Sequence, residues 1–184
     1  MLNEIRWHGR GGQGVVTASR MLAQAALLEG KFVQAFPEFG PERTGAPILG
    51  FTRISDERIR IHSHVYTPNL VVVLDPTLLE SVDVTAGLVK SGQLVVNSGK
   101  TPDQIKSELE ATTTRAFTVD ATRISLEILG RAITNTAMLG AVIRAVPMVN
   151  LESVRKAVRE RFTGDLGDRN VKAIERAYNE VVCG

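Results

Sequence analysis

Six residues near the start of the chain, Gly9-Arg10-Gly11-Gly12-Gln13-Gly14, narrow the folds open to it more than any other stretch. They follow a short run, Ile5-Arg6-Trp7-His8, whose apolar and polar side chains alternate as in a strand, and they precede a helical pattern from Val15 to Leu28. A strand, a tight glycine turn and a helix aim backbone N–H groups and a positive helix end at one spot. Such a spot suits an anion, most often a phosphate. Glycine serves there because a side chain would block both a left-handed backbone and the close approach of a ligand. Gly9, Gly11 and Gly14 fit the G-x-G-x-x-G spacing of dinucleotide turns, although the same turn can exist only to pack a helix closely on a sheet. No Gly-Lys-Ser/Thr follows, so the stretch is not a Walker A loop.

The pattern downstream is that of an α/β protein. Residues 2–8 read as a strand and 14–29 as a helix that carries Val15, Ala18, Leu22, Ala25 and Ala26 on one side and stops at Gly30. Lys31 to Phe36 reads as the second strand of a parallel βαβ crossover. Ile48 to Ile54 and Arg58 to His64 read as a hairpin through Ser55-Asp56-Glu57, which makes the expected sheet mixed. Leu70 to Leu74 is apolar throughout, as a central strand covered on both faces should be. A helix to about Lys90 and a strand from Gln93 to Asn97 follow; Thr101-Pro102 opens a short helix, and Arg115 to Val119 reads as the last strand. One long helix is expected from Asp120 to Val146. Its apolar positions go more than halfway round, which implies burial or cover by a partner chain. Asn150 reads as the cap of the next helix, and Val171, Ile174, Tyr178 and Val181 mark a final one. The expected architecture is three-layer α/β/α around a mostly parallel, mixed sheet with a helical C-terminal tail. Residues 1–184 are expected to form a single domain, with a Rossmann-like α/β core over 1–121 and a helical part over 122–184.

Composition excludes several functions. The net charge of +2 comes from 22 basic and 20 acidic residues spread along the chain, not from the basic stripe of a nucleic-acid surface. The single cysteine, Cys183, excludes an intramolecular disulfide, a Cys-rich zinc site and an iron–sulfur cluster held by this chain alone. No apolar run has the length of a membrane span and no signal peptide precedes the first strand, so a soluble, cytoplasmic chain is expected. His62 and His64 would share a strand face, as a surface pair and not a metal site. Asp75 and Asp120, each after a strand, read as helix caps. Neither a catalytic set nor a metal site emerges. Two readings follow. The first is an NAD(P)-dependent oxidoreductase, with the glycines on the pyrophosphate and Glu38 on the ribose. The second is a binding module that offers its anion site to a larger assembly, and the proline-stiffened loop 37–47 and the apolar long helix favour it.

Three stretches together resemble a known family: Gly9 to Ala18, Phe36-Pro37-Glu38-Phe39-Gly40-Pro41-Glu42-Arg43-Thr44-Gly45-Ala46-Pro47, and Asn135-Thr136-Ala137-Met138-Leu139-Gly140-Ala141. They are similar to the gamma subunit of 2-oxoacid:ferredoxin oxidoreductases, of the pyruvate and ketoisovalerate type. The resemblance covers nearly the whole chain. It implies a subunit of an enzyme that converts a 2-oxoacid and coenzyme A to acyl-CoA, carbon dioxide and reduced ferredoxin. Thiamine diphosphate and iron–sulfur clusters are then expected in partner chains (the alpha, beta and delta subunits), with no cofactor bound by this chain alone. Coenzyme A, as co-substrate, is expected to meet Gly9, Arg10, Gly11, Gly12, Gln13, Gly14, Arg43 and Thr44. Many relatives carry a second arginine where this chain has Thr44. Ferredoxin is reached through the complex; neither nucleic acid nor membrane is expected as a partner.

Overall fold

The structure, a computed structural model, describes residues 1–38, 45–111 and 114–184. Its seven strands form one sheet. They are β1 (Leu2–Arg10), β2 (Phe32–Pro37), β3 (Pro47–Ser55), β4 (Leu70–Val73), β5 (Gln93–Asn97), β6 (Arg115–Val119) and β7 (Val182–Cys183). The order across the sheet is β2-β3-β1-β4-β5-β6-β7. β1, β4, β5 and β6 are parallel neighbours, whereas β3 runs against both β1 and β2, and β7 runs against β6. The helices are α1 (Val15–Leu28), α2 (Pro102–Glu108), α3 (Ala121–Leu129), α4 (Asn135–Ala145), α5 (Leu151–Arg161) and α6 (Gly164–Glu180). The mixed α/β architecture with a helical C-terminal region is as the sequence implies.

Several elements differ from the sequence pattern for identifiable reasons. β2 does not sit beside β1, because β3 is inserted between them. Residues 58–64 form no strand; they cross the sheet face as coil, and the mixed character comes from β3 instead. After Asp75 there is only a single 3-10 turn, Pro76–Glu80, followed by turns that include Gly87 at φ +70°. The long helix expected over 120–146 is two helices. α3 ends at Gly130, whose left-handed backbone (φ +70°) returns its N–H to the Leu126 carbonyl. The chain's last residues add a strand, β7, beyond β6.

One face of the sheet carries the large core. Trp7, Leu22, Ile54, Val72, Val95, Met138 and Ile174 are buried there beneath α1 and α4 to α6. α4 is buried along almost its whole length by elements of this same chain. Its apolar surround therefore needs no partner subunit. Gly140 lets α4 meet α6 closely, since a side chain there would strike the Ile174 carbonyl oxygen at 2.1 Å. No helix among the described residues is long and apolar enough to cross a membrane.

Candidate functional site

β1 extends two residues further than its alternation implies, so Gly9 and Arg10 close the strand and do not belong to the turn. Gly9 is required by packing: a side chain there would overlap Val15 at 2.4 Å. Gly12 (φ +96°) and Gly14 (φ +79°) carry the left-handed backbone of the turn, and Gly11 does not. Gly11 is instead tied to the far side of the loop, its N–H to the Ala46 carbonyl and its carbonyl to the Gly45 N–H. Gly14 is the N-cap of α1 and supplies no side chain to cap it.

Arg10 and Gln13 are drawn into one cluster with the residues that follow β4. The Gln13 Oε1 accepts the Arg10 backbone N–H at 2.7 Å, and its Nε2 donates to Asp75 Oδ2 at 2.5 Å. Both ends of Gln13 are thus engaged inside the chain, where it braces the turn. The Arg10 guanidinium donates to the Thr77 hydroxyl at 2.8 Å and to the Gly45 carbonyl at 3.2 Å, and lies 3.3 Å from Asp75. About a third of its side chain, 31%, remains in solvent. Burial alone would raise the Asp75 carboxyl. Hydrogen bonds from the Thr77 hydroxyl, the Gln13 amide and the Thr77 N–H, with the Arg10 charge beside them, hold it below the usual carboxylate range. Asp75 also caps the 3-10 turn, the role its sequence position suggests, and Asp120 caps α3 through the Arg123 N–H. Arg43 and Thr44 lie outside the described residues.

The position of this cluster in the sheet matters more than any one contact. From β1 the chain proceeds to one side, to β2 and β3; from β4 onward it proceeds to the other. The β1–β4 boundary is therefore the switch point of the sheet, and Arg10 and Asp75 meet across it at the carboxyl ends of those strands. In open α/β sheets that crevice is where ligands bind. Asn97 steadies the same edge, donating to the Leu74 carbonyl at 2.9 Å and to the Thr122 hydroxyl at 2.9 Å.

The dinucleotide reading fails on this topology. Glu38 follows β2, which is two strand positions from β1, on the order of 10 Å away. Its carboxylate lies 3.9 Å from His64 and not beside the glycine turn. His62 and His64 lie in coil, and among the described residues no group of three or more His, Cys, Asp or Glu side chains could hold a metal. The cluster at the switch point was only partly visible in the sequence. Asp75 reads from the sequence as a helix cap and Thr77 as part of the turn after β4, and nothing in the spacing joins either side chain to Arg10 or Gln13, more than sixty residues away.

Residues 4–180 match the family model described as pyruvate ferredoxin/flavodoxin oxidoreductase. The chain belongs to this family. It is 56% identical, over 97% of both chains, to a Thermococcus kodakarensis protein named pyruvate/ketoisovalerate oxidoreductases common subunit gamma. It is 50% identical, again over 97% of both, to the pyruvate synthase subunit PorC of Methanocaldococcus jannaschii. The crystal structure of pyruvate oxidoreductase subunit PORC from Thermotoga maritima superposes with a TM-score of 0.89 at 44% identity, covering 100% of this chain and 98% of that one. Its homologues are thus gamma or PorC subunits of pyruvate:ferredoxin oxidoreductases, as the three sequence stretches imply. For a member of this family the glycine turn belongs to one subunit of a larger oxidoreductase, and the stand-alone dehydrogenase is not favoured.

Proposed function

We propose that this gamma-type chain presents the phosphate-bearing part of coenzyme A to a 2-oxoacid:ferredoxin oxidoreductase, at the edge formed by Gly9 to Gly14. Arg10 supplies the charge, the backbone N–H groups of the turn supply neutral donors, and Gln13 holds both in place through Asp75. Arg43 and Thr44 belong to the loop that completes this edge against coenzyme A or a neighbouring subunit. The partners are the alpha, beta and delta subunits in the cytoplasm. Thiamine diphosphate and the iron–sulfur clusters reside in those chains, with ferredoxin reached through the complex. One cysteine cannot ligate a cluster, so this chain's work is binding and orientation. The observation that carries the reading is the coincidence of an uncapped glycine turn and a partly exposed arginine at the switch point of the sheet.

The test uses the assembled enzyme. Replacing Arg10 by alanine leaves Asp75 bonded to Gln13 and Thr77, so the fold should persist. Losing one charge-assisted phosphate contact costs about 1.5–3 kcal/mol, roughly a ten- to hundredfold rise in the KM for coenzyme A. The KM for the 2-oxoacid and the coenzyme-A-independent decarboxylation should stay unchanged, and Arg10→Lys should recover part of the loss. If both KM values move together, or only assembly suffers, the turn is a subunit contact and the coenzyme A assignment fails.

A further inference from the structure

The sheet ends on two unlike edges. Beyond β6 stands β7, only Val182–Cys183, a short edge that offers another chain little to pair with. At the opposite edge stands β2, Phe32–Pro37, which carries no charged side chain. Edge strands are commonly guarded by charge, because their outer N–H and C=O groups are a template for pairing. β2 lacks that guard, and exposed apolar side chains flank it. They are Leu27 and Leu28 at the end of α1, Phe32 on the strand itself, and Ile61, whose carbonyl accepts from Gln34 Nε2 at 2.9 Å.

The pairing with β3 shows which groups face outward. The Glu38 N–H donates to the Leu49 carbonyl, so by the antiparallel alternation Phe32, Gln34 and Phe36 turn their backbone groups to β3. Val33 and Ala35 turn theirs away, and those N–H and C=O groups meet no partner among the described residues. The ends of the strand restrict what can pair with it. The Lys31 N–H is already given to the Ala26 carbonyl, and Pro37 has no N–H to give. A second β2, antiparallel about a twofold axis at Gln34, sets Val33 opposite Ala35 of the other copy and satisfies every one of these groups. With the axis at Val33, Ala35 would face Lys31; with the axis at Ala35, Val33 would face Pro37. Either way a carbonyl is left without its donor. The register at Gln34 also puts Phe32 opposite Phe36 of the other copy on one sheet face, a favourable cross-strand aromatic pair. Antiparallel pairing brings Lys31, before the strand, toward Glu38, after it, so the charges at the strand ends are complementary.

We infer that β2 is an interface between two copies of this chain, which pair through Val33 and Ala35 and join their sheets into one across a twofold axis at Gln34. The backbone supplies the hydrogen bonds. Phe32, Ile61, Leu27 and Leu28 supply the apolar cover that a bare strand pair lacks. The interface goes beyond the coenzyme A reading and does not depend on it, since the β1–β4 boundary lies on the far side of β3 from this edge.

The experiment uses the full chain. At micromolar concentration it should sediment at twice its monomer mass, with the Val33 and Ala35 amides protected from hydrogen exchange. Ala35→Pro removes one outward donor at an edge position, where proline is tolerated, and should give a folded monomer. A cross-link supplies a second readout, which decides alone if that variant does not fold. In a Cys183→Ser background, Gln34→Cys places two thiols on the axis with Cα atoms about 4.5 Å apart, within disulfide reach. Mild oxidation should convert most of that chain to a covalent dimer. Ala35→Cys, which lies diagonal to its own copy, should remain largely uncrosslinked. A monomeric wild-type chain overturns the inference; if Val33 and Ala35 then become protected only when the other enzyme subunits are added, the edge belongs to one of those. A dimer that persists in folded Ala35→Pro overturns it as well, as does one that cross-links through Ala35→Cys and not through Gln34→Cys.

Discussion

The two faces of the sheet are built from different materials. On the α1 side, helices cover the strands with mostly aliphatic side chains, and the buried Trp7 has its indole N–H satisfied by the Thr52 hydroxyl at 3.0 Å. On the other side, much of the cover is coil, residues 58–67 and 81–92, which cannot satisfy its own carbonyls as a helix does. Arginines do it instead. Fully buried Arg53 donates to Glu4 at 2.7 Å, to Gln34 at 3.1 Å and to the His64 carbonyl at 3.2 Å. Arg6 donates to the Val84 and Ala86 carbonyls and to His8 Nε2. The lesson is that a sheet face can be closed by apolar packing or by charged donors that collect loop carbonyls, and the second solution is the more sensitive to charge and pH.

Breaking each face in turn sharpens that contrast. Arg53→Ala should cost about 3 kcal/mol. This is the low end for a broken buried pair, because Glu4 keeps 20% of its side chain in water. Its denaturation midpoint should fall, and the 58–67 segment should become open to proteolysis before the helical face does. Selective loss of the helices first would contradict the division of labour. On the helical face, Gly140→Ala forces α4 away from the α6 backbone and should cost about 1–3 kcal/mol, with a lowered denaturant midpoint and no selective exposure of the coil. A neutral Gly140→Ala would mean that the two helices are not in rigid contact.

A smaller effect distinguishes the faces by pH. Burial first, and the neighbouring Arg6 charge second, push the His8 imidazole down to about 3 against the pull of Asp83. The folded chain thus holds His8 neutral while the unfolded chain protonates it near 6.5. Stability is fully present above that unfolded value and declines as pH falls from 6.5 toward 3, by up to ~1.4 kcal/mol per unit. Between pH 6 and 5 the loss should be about 1 kcal/mol, above the range where most carboxylates titrate. His8→Gln should flatten it in urea titrations at the two pH values. An unchanged slope would assign the pH dependence to other groups.

The same contrast explains what the sequence disclosed. β4, β5 and β6 were legible almost to the residue because buried parallel strands are apolar runs, and α2 was legible through the Thr101 cap and Pro102 at its first position, to which the structure adds a capping box with Gln104. Residues 58–64 alternate Arg-Ile-Arg-Ile-His as a strand does, but β3 has its two neighbours already, β1 and β2. Arg53 and the aromatic stack of Phe51 on His64, at 5.3 Å, hold the segment on the sheet face instead. The break at Gly130 was readable as a helix stop and was overridden by the apolar pattern on either side. At the candidate site the glycine turn and Arg10 were visible, since local spacing encodes them. Asp75 was visible only as a cap and Asn135 only as part of a motif; that they and Thr77 meet the turn was not, because only the order of the strands and the packing of α4 on α1 bring them there.

The central claim, that the switch-point edge receives coenzyme A, is tested most directly by hydrogen exchange on the assembled enzyme. Saturating coenzyme A should slow exchange at residues 9–17 and 75–78 of this chain, and the 2-oxoacid alone should leave those segments unchanged. Protection confined to the other subunits, with residues 9–17 exchanging at the same rate in both states, would contradict the account.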